Sequence, residues 1–415
     1  MLFLLSAFAL SAAAQAQDPS PCRATLCYAE ALEPFLARLE AARPDGGAPV
    51  HIIQIGDSHT AGDMITSGWR TRLQARFGNG GRGVLAAGRP YQGYLTWGVT
   101  ASQSAGWSVN ATFGARYQEE GAPLGISGFT QTAHAAGETL GVTADAPEQD
   151  FDRVIVCAIT QPGGGTLRLS MGASEGIWSL DAPRRATQCR TMETEAPVGA
   201  ASLATTDSGT VSITSFATFR RRGGVVLSNL GVVGAQLAHF GRTSDEVVRA
   251  ELAAYKPDLI VLAFGTNEGF STSLSADSYE SALRQQIARV RRLAGGNVPI
   301  LLLGAPDAGR RQASLAGLEG ACGDGWEVPR LLGEVRARQM AVARDMHAAF
   351  WNWAAAMGGR CASSQWRLNE QMRGDHVHFT RDGGDRIGGL IDADFNRALQ
   401  DSGLAPPAPA GRRHP

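Results

Sequence analysis

Three short runs rich in β-branched and other apolar residues constrain the fold of this chain more than any other sequence feature. They cover residues 50–55, 258–264 and 298–303. Runs of this kind are typical of strands buried on both faces of a parallel sheet. Stretches with helical periodicity lie between and beyond them, at 23–43, 66–77, 243–255, 276–293, 329–348 and 381–399. Because strands alternate with helices, the sequence predicts an α/β fold whose parallel sheet is covered on both faces.

A long stretch without helical periodicity interrupts this pattern. Between residues 94 and 224, short β-prone runs such as 154–159, 167–171 and 211–216 alternate with clusters of Gly, Ser, Thr and Pro. That alternation is typical of an all-β module. A set of long irregular loops is the alternative, although so many structureless residues are unusual in a compact domain. The α/β pattern resumes at a further strand, predicted over 225–230.

The two ends of the chain differ in composition from the rest. The apolar stretch 2–14 is too short to cross a bilayer and is followed by Ala-Gln-Ala at 14–16, which predicts a signal peptide over residues 1–16. A buried N-terminal helix is the alternative, since the usual basic segment is missing. The Pro- and Ala-rich tail 401–415 is predicted to be disordered. We therefore expect a periplasmic or secreted protein with no integral membrane span.

Charge and cysteine content narrow the function classes. The formal net charge is −1, which argues against a nucleic-acid-binding protein. The six cysteines fall as neighbours, and none has the spacing of a zinc site. We predict that neighbours form disulfides, with buried free thiols as the alternative. The pairs are Cys22 and Cys27, Cys157 and Cys189, and Cys322 and Cys361.

A serine follows the first predicted strand. Residues 56–59 read Gly-Asp-Ser-His, so Ser58 is expected at the carboxyl end of a parallel strand, where α/β sheets bind ligands. A serine there becomes a nucleophile when a base lies within reach. A Gly-Asp-Ser turn also commonly caps a helix, so this motif alone does not decide between the two interpretations.

An aspartate and a histidine precede the last predicted helix. Asp375 and His378 are three residues apart, so they can lie on the same side of a turn. The carboxylate can then orient the imidazole while its other nitrogen faces a serine, as in a catalytic triad. A solvated turn or a metal-binding loop is the alternative. His376 competes for the same role, but it is adjacent to Asp375, and His378 is preferred.

Two further residues follow predicted strands. Asn267 comes just after the run 258–264, and its side-chain amide can donate to an oxyanion. Gly234 follows the strand at 225–230, and a glycine there lets a backbone N–H approach a substrate closely. Each residue taken alone is equally well explained as part of an ordinary turn.

The order Ser58, Gly234, Asn267, Asp375 and His378 resembles the SGNH, or GDSL-type, hydrolases. The resemblance covers residues 45–93 and 225–400. It implies a flavodoxin-like three-layer α/β fold, a Ser58 nucleophile, a His378 base and Asp375 as its orienting acid. It also implies an oxyanion hole made by the backbone N–H groups of Ser58 and Gly234 and the side chain of Asn267. No cofactor or metal is expected.

Two positions depart from the usual family pattern. Residue 59 is His where the GDSL name has Leu, and Glu268 follows Asn267 where Asp is more usual. Neither departure removes a residue with an implied catalytic role.

The sequence GDSHTAGD, followed by GNGGRG and a β-rich insertion, is similar to the peptidoglycan O-acetyl esterases of Gram-negative bacteria. This narrower resemblance implies a hydrolase domain at 22–93 and 225–400 and an inserted β-sandwich-like domain at 94–224, similar to a carbohydrate-binding module. The implied partner is an O-acetylated polysaccharide, with peptidoglycan as the first candidate.

Three alternatives to this function remain open from the sequence. The first is an O-acetyltransferase, which uses the same acyl-enzyme. The second is an esterase for another acetylated polysaccharide or a lipid. The third is a carbohydrate-binding cell-wall protein without activity. Trp97, Trp107 and Trp178 could stack on sugar rings, although core aromatic residues are the more frequent case.

Overall fold

The structure is a computed structural model that describes residues 21–312, 321–323 and 325–403. The predicted signal peptide at 1–16 and most of the predicted disordered tail lie outside these residues. The elements before residue 94 begin the α/β part of the molecule. They are β1 (Cys22–Arg23), β2 (Leu26–Cys27), a 3-10 turn (Ala29–Leu32), α1 (Glu33–Glu40), β3 (Val50–Gly56), α2 (Ser58–Ala61), α3 (Met64–Phe77) and β4 (Gly83–Leu85).

Ten strands follow, with one 3-10 turn (Pro147–Gln149) between them. They are β5 (Val99–Gln103), β6 (Ser108–Ala111), β7 (Phe129–Ala133), β8 (Thr139–Ala144), β9 (Phe151–Thr160), β10 (Thr166–Met171), β11 (Ser174–Ser179), β12 (Ala186–Val198), β13 (Ala200–Thr205) and β14 (Val211–Phe219).

The remaining elements alternate between strand and helix. They are β15 (Val225–Gly231), α4 (Leu237–Phe240), α5 (Asp245–Tyr255), β16 (Leu259–Ala263), α6 (Thr266–Gly269), α7 (Ala276–Leu293), β17 (Ile300–Leu303), β18 (Arg310–Arg311), β19 (Trp326–Glu327), α8 (Arg330–Asp345), β20 (Ala349–Trp351), α9 (Trp353–Met357), α10 (Ala362–Leu368) and α11 (Arg381–Asp401).

The central sheet has the order β1-β2-β20-β17-β16-β3-β15. The strands from β20 to β15 are parallel, whereas β2 runs antiparallel to β20. Side chains alternate along β3: Ile53 and Ile55 face one apolar cluster, and Ile52 faces another. Helices α5, α7 and α8 cover the first face, and α1, α3 and α11 cover the second. Burial on both faces explains the β-branched and apolar runs and confirms the predicted three-layer α/β fold.

The N-terminal helix prediction was partly wrong. The helix was expected over residues 23–43, but α1 occupies only its second half, after the β1-β2 hairpin and a 3-10 turn. The disulfide between Cys22 and Cys27 closes the hairpin, and β2 pairs with the edge strand β20. Pro34 stands in the first turn of α1, where its missing N–H has no intrahelical role. Sheet pairing here overrides the local helical periodicity.

The β-rich stretch forms two antiparallel sheets. One has the order β11-β10-β13-β8-β5, and the other has the order β12-β9-β14-β7-β6 with β4 also paired to β14. Leu169 of the first sheet and Val156 and Phe216 of the second lie in one apolar core between them. Trp107 and Trp178 also belong to that core, which removes them as exposed sugar-stacking candidates.

Strands β9 and β14 of the second sheet are largely buried on both faces. Along β9, Val154 and Val156 face the core between the two sheets, whereas Ile155 and Cys157 face the core of the α/β part. A buried carboxylate reinforces that contact, because Glu251 of α5 accepts hydrogen bonds from the Ser215 hydroxyl and the Ile126 N–H. The two parts of the molecule therefore share an apolar core instead of meeting at a polar linker.

All six cysteines form disulfides, and the predicted pairing of neighbours is confirmed. Cys157 and Cys189 are directly opposite each other on β9 and β12. Among the described residues, none of the helices has the length and apolar character needed to span a bilayer.

Candidate active site

Three site segments follow parallel strands at the same edge of the central sheet. Ser58 comes two residues after β3, Gly234 follows β15, and Asn267 follows β16. These three strands are adjacent, with β3 in the middle. Because parallel strands end at a common edge, the sheet brings together residues that are far apart in the sequence.

Ser58 contacts the loop that precedes α11. Its hydroxyl Oγ lies 3.0 Å from His378 Nε2, and His378 Nδ1 lies 2.8 Å from Asp375 Oδ2. A carboxylate only accepts hydrogen bonds, so Nδ1 carries the proton and Nε2 has a lone pair directed at the serine hydroxyl. The structure thus brings together the three residues singled out as a nucleophile, a base and an orienting acid.

The Asp375 carboxylate also shapes its own loop. Its Oδ1 accepts hydrogen bonds of 2.9 Å from the backbone N–H groups of Val377 and His378. Partial burial favours the neutral acid, but these N–H donors and the His378 side chain outweigh it and lower the pKa of Asp375. The acid is therefore ionised at neutral pH and holds the histidine in one tautomer.

His376, the competing histidine, points to a different part of the molecule. Its ring stacks on Trp326, with centroids 3.7 Å apart and planes at 7°. Its Nδ1 lies 3.4 Å from the Ser364 hydroxyl, and the residue is buried. The backbone at His376 is left-handed, with a φ of 55°. The His376 ring contacts Trp326, whereas the His378 ring contacts Ser58.

Ser58 is the first residue of the short helix α2. Its N–H is one of the initial helical N–H groups, which have no acceptor within a helix. The preceding residue, Asp57, caps the helix by accepting from the His59 N–H at 2.9 Å. Both interpretations of the Gly-Asp-Ser turn thus apply: Asp57 is the helix cap, and Ser58 faces a histidine.

The glycine segment lies against the serine segment. A side chain at Gly231 would place its Cβ 2.0 Å from the Ala61 nitrogen, so only glycine allows this close approach. Gly234 has a φ of 77°, a conformation that favours glycine. Next to it, the Val233 side chain is exposed and lines the cavity at Ser58.

Asn267 is joined to both neighbouring segments. Its side-chain Nδ2 donates to the Ala235 carbonyl at 2.9 Å and makes a longer contact of 3.4 Å to Asp57 Oδ2. The neighbouring Glu268 carboxylate accepts from the N–H groups of Leu237 and Gly265, at 2.7 Å and 3.0 Å. Burial raises the pKa of Glu268 to about 7, although these N–H donors oppose the rise.

A cavity of about 330 Å³ opens next to Ser58 and His378. Its walls are largely apolar, and one arginine stands at the edge. The lining includes Ala61, Met64, Ile65, Leu95, Phe379 and Arg373. A cavity of this size next to the serine can hold a small acyl group and part of the alcohol to which it is joined. Across the described part of the chain, no group of three or more His, Cys, Asp or Glu side chains is arranged to bind a metal.

Sequence reasoning missed one buried pair at this site. His59 was treated only as a departure from the family pattern, yet it contacts both Asp57 and the loop of His378. Its position next to the serine was the only available signal. The backbone carbonyl that completes its surroundings belongs to Val377, more than 300 residues later in the chain.

A protein-family model matches the part of the chain that contains most of the site residues. Residues 206–386 match the model of the GDSL-like lipase/acylhydrolase family. This part of the chain is similar to a GDSL-type acylhydrolase domain. The matched residues include Gly234, Asn267, Asp375 and His378, whereas Ser58 lies before them. Ser58 follows β3, the middle strand of the three, and so lies beside the matched residues at the same sheet edge. The fold is that of an SGNH hydrolase.

One solved structure shows the same fold. It is "Peptidoglycan O-acetylesterase in action, 5 min", which has a TM-score of 0.75 and 24% sequence identity, and the match covers 91% of this chain and 99% of that chain. A family two carbohydrate esterase from Clostridium thermocellum, in complex with cellohexaose, has a TM-score of 0.28 and 12% identity, with 65% of this chain and 95% of that chain covered. No curated protein matches this sequence.

Proposed function

We propose that the protein is an exported serine esterase that removes O-acetyl groups from a polysaccharide, with peptidoglycan as the substrate. The observation that carries this proposal is the contact of Ser58 Oγ with His378 Nε2, together with the contact of His378 Nδ1 with Asp375. These contacts supply a nucleophile, a base and an orienting acid in one line.

The reaction proceeds through an acyl-enzyme. Ser58 Oγ attacks the ester carbonyl carbon while its proton passes to His378 Nε2. The resulting imidazolium, stabilised by Asp375, then gives this proton to the sugar oxygen as the carbon–oxygen bond to the sugar breaks. A water molecule, deprotonated by His378, attacks the acetyl-serine. Acetate leaves, and the proton returns to Ser58.

The oxyanion is held by three donors in this proposal. The N–H of Ser58 is available at the start of α2, and the N–H of Gly234 and the side-chain amide of Asn267 complete the set. The Asn267 amide makes two contacts, and the 3.4 Å contact to Asp57 is the weaker. An oxyanion would replace that contact and leave the bond to Ala235 in place, so the amide is already oriented before substrate binds.

The substrate and the location are supported by three further features. The fold is similar over most of both chains to that of a peptidoglycan O-acetylesterase. Three disulfides are typical of a protein from an oxidising compartment, which agrees with a periplasmic or secreted location. A small acyl cavity with an open edge suits an acetyl group on a polymer.

The decisive experiment measures acetate released from O-acetylated peptidoglycan by the wild-type protein and by Ser58→Ala. We expect release by the wild type only. Ser58-dependent cleavage of a small aryl acetate without release from peptidoglycan would retain the esterase and reject this substrate. Acetyl transfer to an added sugar acceptor in preference to water would indicate a transferase. Sugar binding without turnover of any ester would indicate a binding protein.

A further inference from the structure

A second aspartate–histidine pair lies directly beside the first. His59 Nδ1 is 3.2 Å from Asp57 Oδ1, and His59 Nε2 is 2.9 Å from the carbonyl oxygen of Val377. The two side chains are only 3% and 1% exposed. Both contacts of this pair involve sequence neighbours of the catalytic candidates. His59 directly follows Ser58, and Val377 directly precedes His378.

Both ring nitrogens of His59 face oxygens that only accept hydrogen bonds. A neutral imidazole has one donor nitrogen and one acceptor nitrogen, so it can satisfy only one of these two contacts. The doubly protonated ring satisfies both. Burial opposes that charge, but the carboxylate of Asp57, the Val377 carbonyl and the more distant Asp375 outweigh it and raise the pKa of His59.

The surroundings of His59 allow little movement. Its ring centroid is 5.3 Å from that of Trp353, 5.6 Å from that of Phe379 and 5.6 Å from that of His378. The charged or titratable groups that face it are Asp57 on its own turn and Asp375 and His378 on the loop before α11. The aromatic rings of Trp353 and Phe379, which pack against it, are neutral.

The contacts of His59 continue through Asp57 to the other site segments. Asp57 Oδ2 contacts the Asn267 amide, which in turn donates to the Ala235 carbonyl. One path of hydrogen bonds thus runs from Val377 through the serine turn to the segments that follow β16 and β15. It connects the loop of the base with the donor proposed for the oxyanion.

We propose that His59 is a positioning residue whose protonated ring holds the His378 loop against the Ser58 turn and, through Asp57, orients the Asn267 amide. This inference rests on the proposed function. When His59 loses a proton, one of its nitrogens presents a lone pair to an acceptor oxygen, and that contact becomes repulsive. Either the Val377 carbonyl or the Asp57 carboxylate is then released, and the alignment of Ser58 with His378 is loosened.

The test compares His59→Gln with His51→Gln, using Ser58-dependent hydrolysis of a small aryl acetate. His51 is a matched control because it is also buried with two contacts, to the Tyr255 carbonyl and the Ser228 hydroxyl, and it lies at the far end of β3 from the site. We expect His59→Gln to lower kcat about 10- to 100-fold with little change in KM, since small displacements of reacting groups have effects of this size. His51→Gln is expected to lower the melting temperature without lowering the kcat of the folded protein.

The pH profile supplies a readout that a merely structural role would not change. The wild-type kcat is expected to fall on the alkaline side as His59 loses its proton, and this limb is expected to disappear in His59→Gln. An alkaline limb that persists unchanged in His59→Gln, or equal losses of kcat in the two variants, would overturn the proposal. If the wild-type protein hydrolyses the ester and His59→Gln has the same kcat, this inference is rejected and the proposed function remains intact.

A measurement without turnover tests the charge directly. Nitrogen NMR of the intact wild-type protein, with His59→Gln used to assign the signal, should show both ring nitrogens of His59 protonated at neutral pH. A neutral ring at that pH would overturn the proposal even if the protein hydrolyses no ester that is tried. Failure of the proposed function alone would appear instead as a protonated His59 in a protein without Ser58-dependent turnover.

Discussion

Two aspartate–histidine pairs lie on either side of the Ser58 turn, and they differ mainly in their exposure. In the outer pair, His378 and Asp375 have side chains that are 37% and 47% exposed, and one histidine nitrogen faces the serine. In the inner pair, His59 and Asp57 are almost fully buried, and both histidine nitrogens face fixed acceptors. The same two residue types therefore meet opposite requirements.

The difference follows from what each histidine has to do with its proton. A general base must accept a proton and return it, so one nitrogen must be free to face the reacting groups. A histidine that joins two segments is most effective when both nitrogens donate and no water competes with its partners. Exposure suits the first task and burial suits the second.

The largest effect is expected for Asp375→Asn in the outer pair. The amide cannot hold His378 in the tautomer that presents a lone pair to Ser58, so kcat should fall about 10⁴-fold. Exposed ion pairs contribute only about 0–1 kcal/mol, so the free energy of unfolding should change little. Steady-state kinetics and chemical denaturation of the same sample check both parts. A kcat within tenfold of the wild type would remove Asp375 from the triad.

The corresponding change in the inner pair, Asp57→Asn, should lower stability far more than Asp375→Asn does. Loss of the carboxylate leaves the buried His59 ring without its counter-charge, and disruption of such a pair typically costs about 3–5 kcal/mol. Urea denaturation, with Asp375→Asn as the matched control, measures the difference. Equal free energies of unfolding for the two variants would contradict the distinction between the pairs.

Asn267→Ala tests the residue that connects the inner pair to the oxyanion. The variant should retain its fold and lose about 100-fold or more in kcat, the effect typical of one missing oxyanion donor. Kinetics on an aryl acetate and a circular dichroism spectrum are sufficient. Near-normal turnover would place Asn267 outside the site and leave only the Ser58 and Gly234 amides as donors.

The smallest effect is on the pH dependence of the free energy of unfolding. His59 and Glu268, whose pKa values are raised, change it in the opposite direction from Asp375, whose pKa is lowered. The pKa of His59 is raised, so its contribution is present below about pH 6.5 and is lost as the pH rises through the folded-state value. Burial raises the pKa of Glu268 to about 7 from its ordinary value of 4.5, so its contribution to stability is also lost as the pH rises between these values. Asp375, whose pKa is lowered, contributes above about pH 4 and loses its contribution in acid.

Denaturation between pH 5 and 8 checks this expectation. The free energy of unfolding should decline with pH, by at most about 1.4 kcal/mol per pH unit for each group. His59→Gln should have a shallower decline than the wild type. A free energy of unfolding that rises over this range would show that neither buried group holds the extra proton.

Strands and helices with strong periodicity were predictable because their patterns are local. Helix α7 was predicted over residues 276–293, and the structure has the same bounds. Helix α5 was expected over 243–255 and is observed over Asp245–Tyr255, after Ser244 caps it by accepting from the Val247 N–H. The short elements β20, α9 and α10 were missed. A strand of three residues and helices of five and seven residues have too few positions to show a period.

The β-rich stretch shows a limit of a different kind. Its strands were recognisable from turn residues and β-prone runs, but their partners were not, because register depends on contacts between distant segments. Strand β4 pairs with β14, more than 120 residues later, although the predicted insertion begins only at residue 94. The sheet that contains β9 and β14 shares an apolar core with the α/β part, and no local sequence pattern indicated this contact.

The sequence by itself determined the α/β class, the β-rich interruption and the residue types required for acyl transfer, because each is expressed in a local pattern or a short motif. Only the tertiary structure decided which histidine faces Ser58 and which is buried beside it. His59, His376 and His378 are chemically identical in the sequence. Each histidine has a different environment in the structure. His59 contacts the Val377 carbonyl and Trp353, whereas His376 has a left-handed backbone and stacks on Trp326. Those environments arise from long-range contacts, which the order of residues in the sequence does not show.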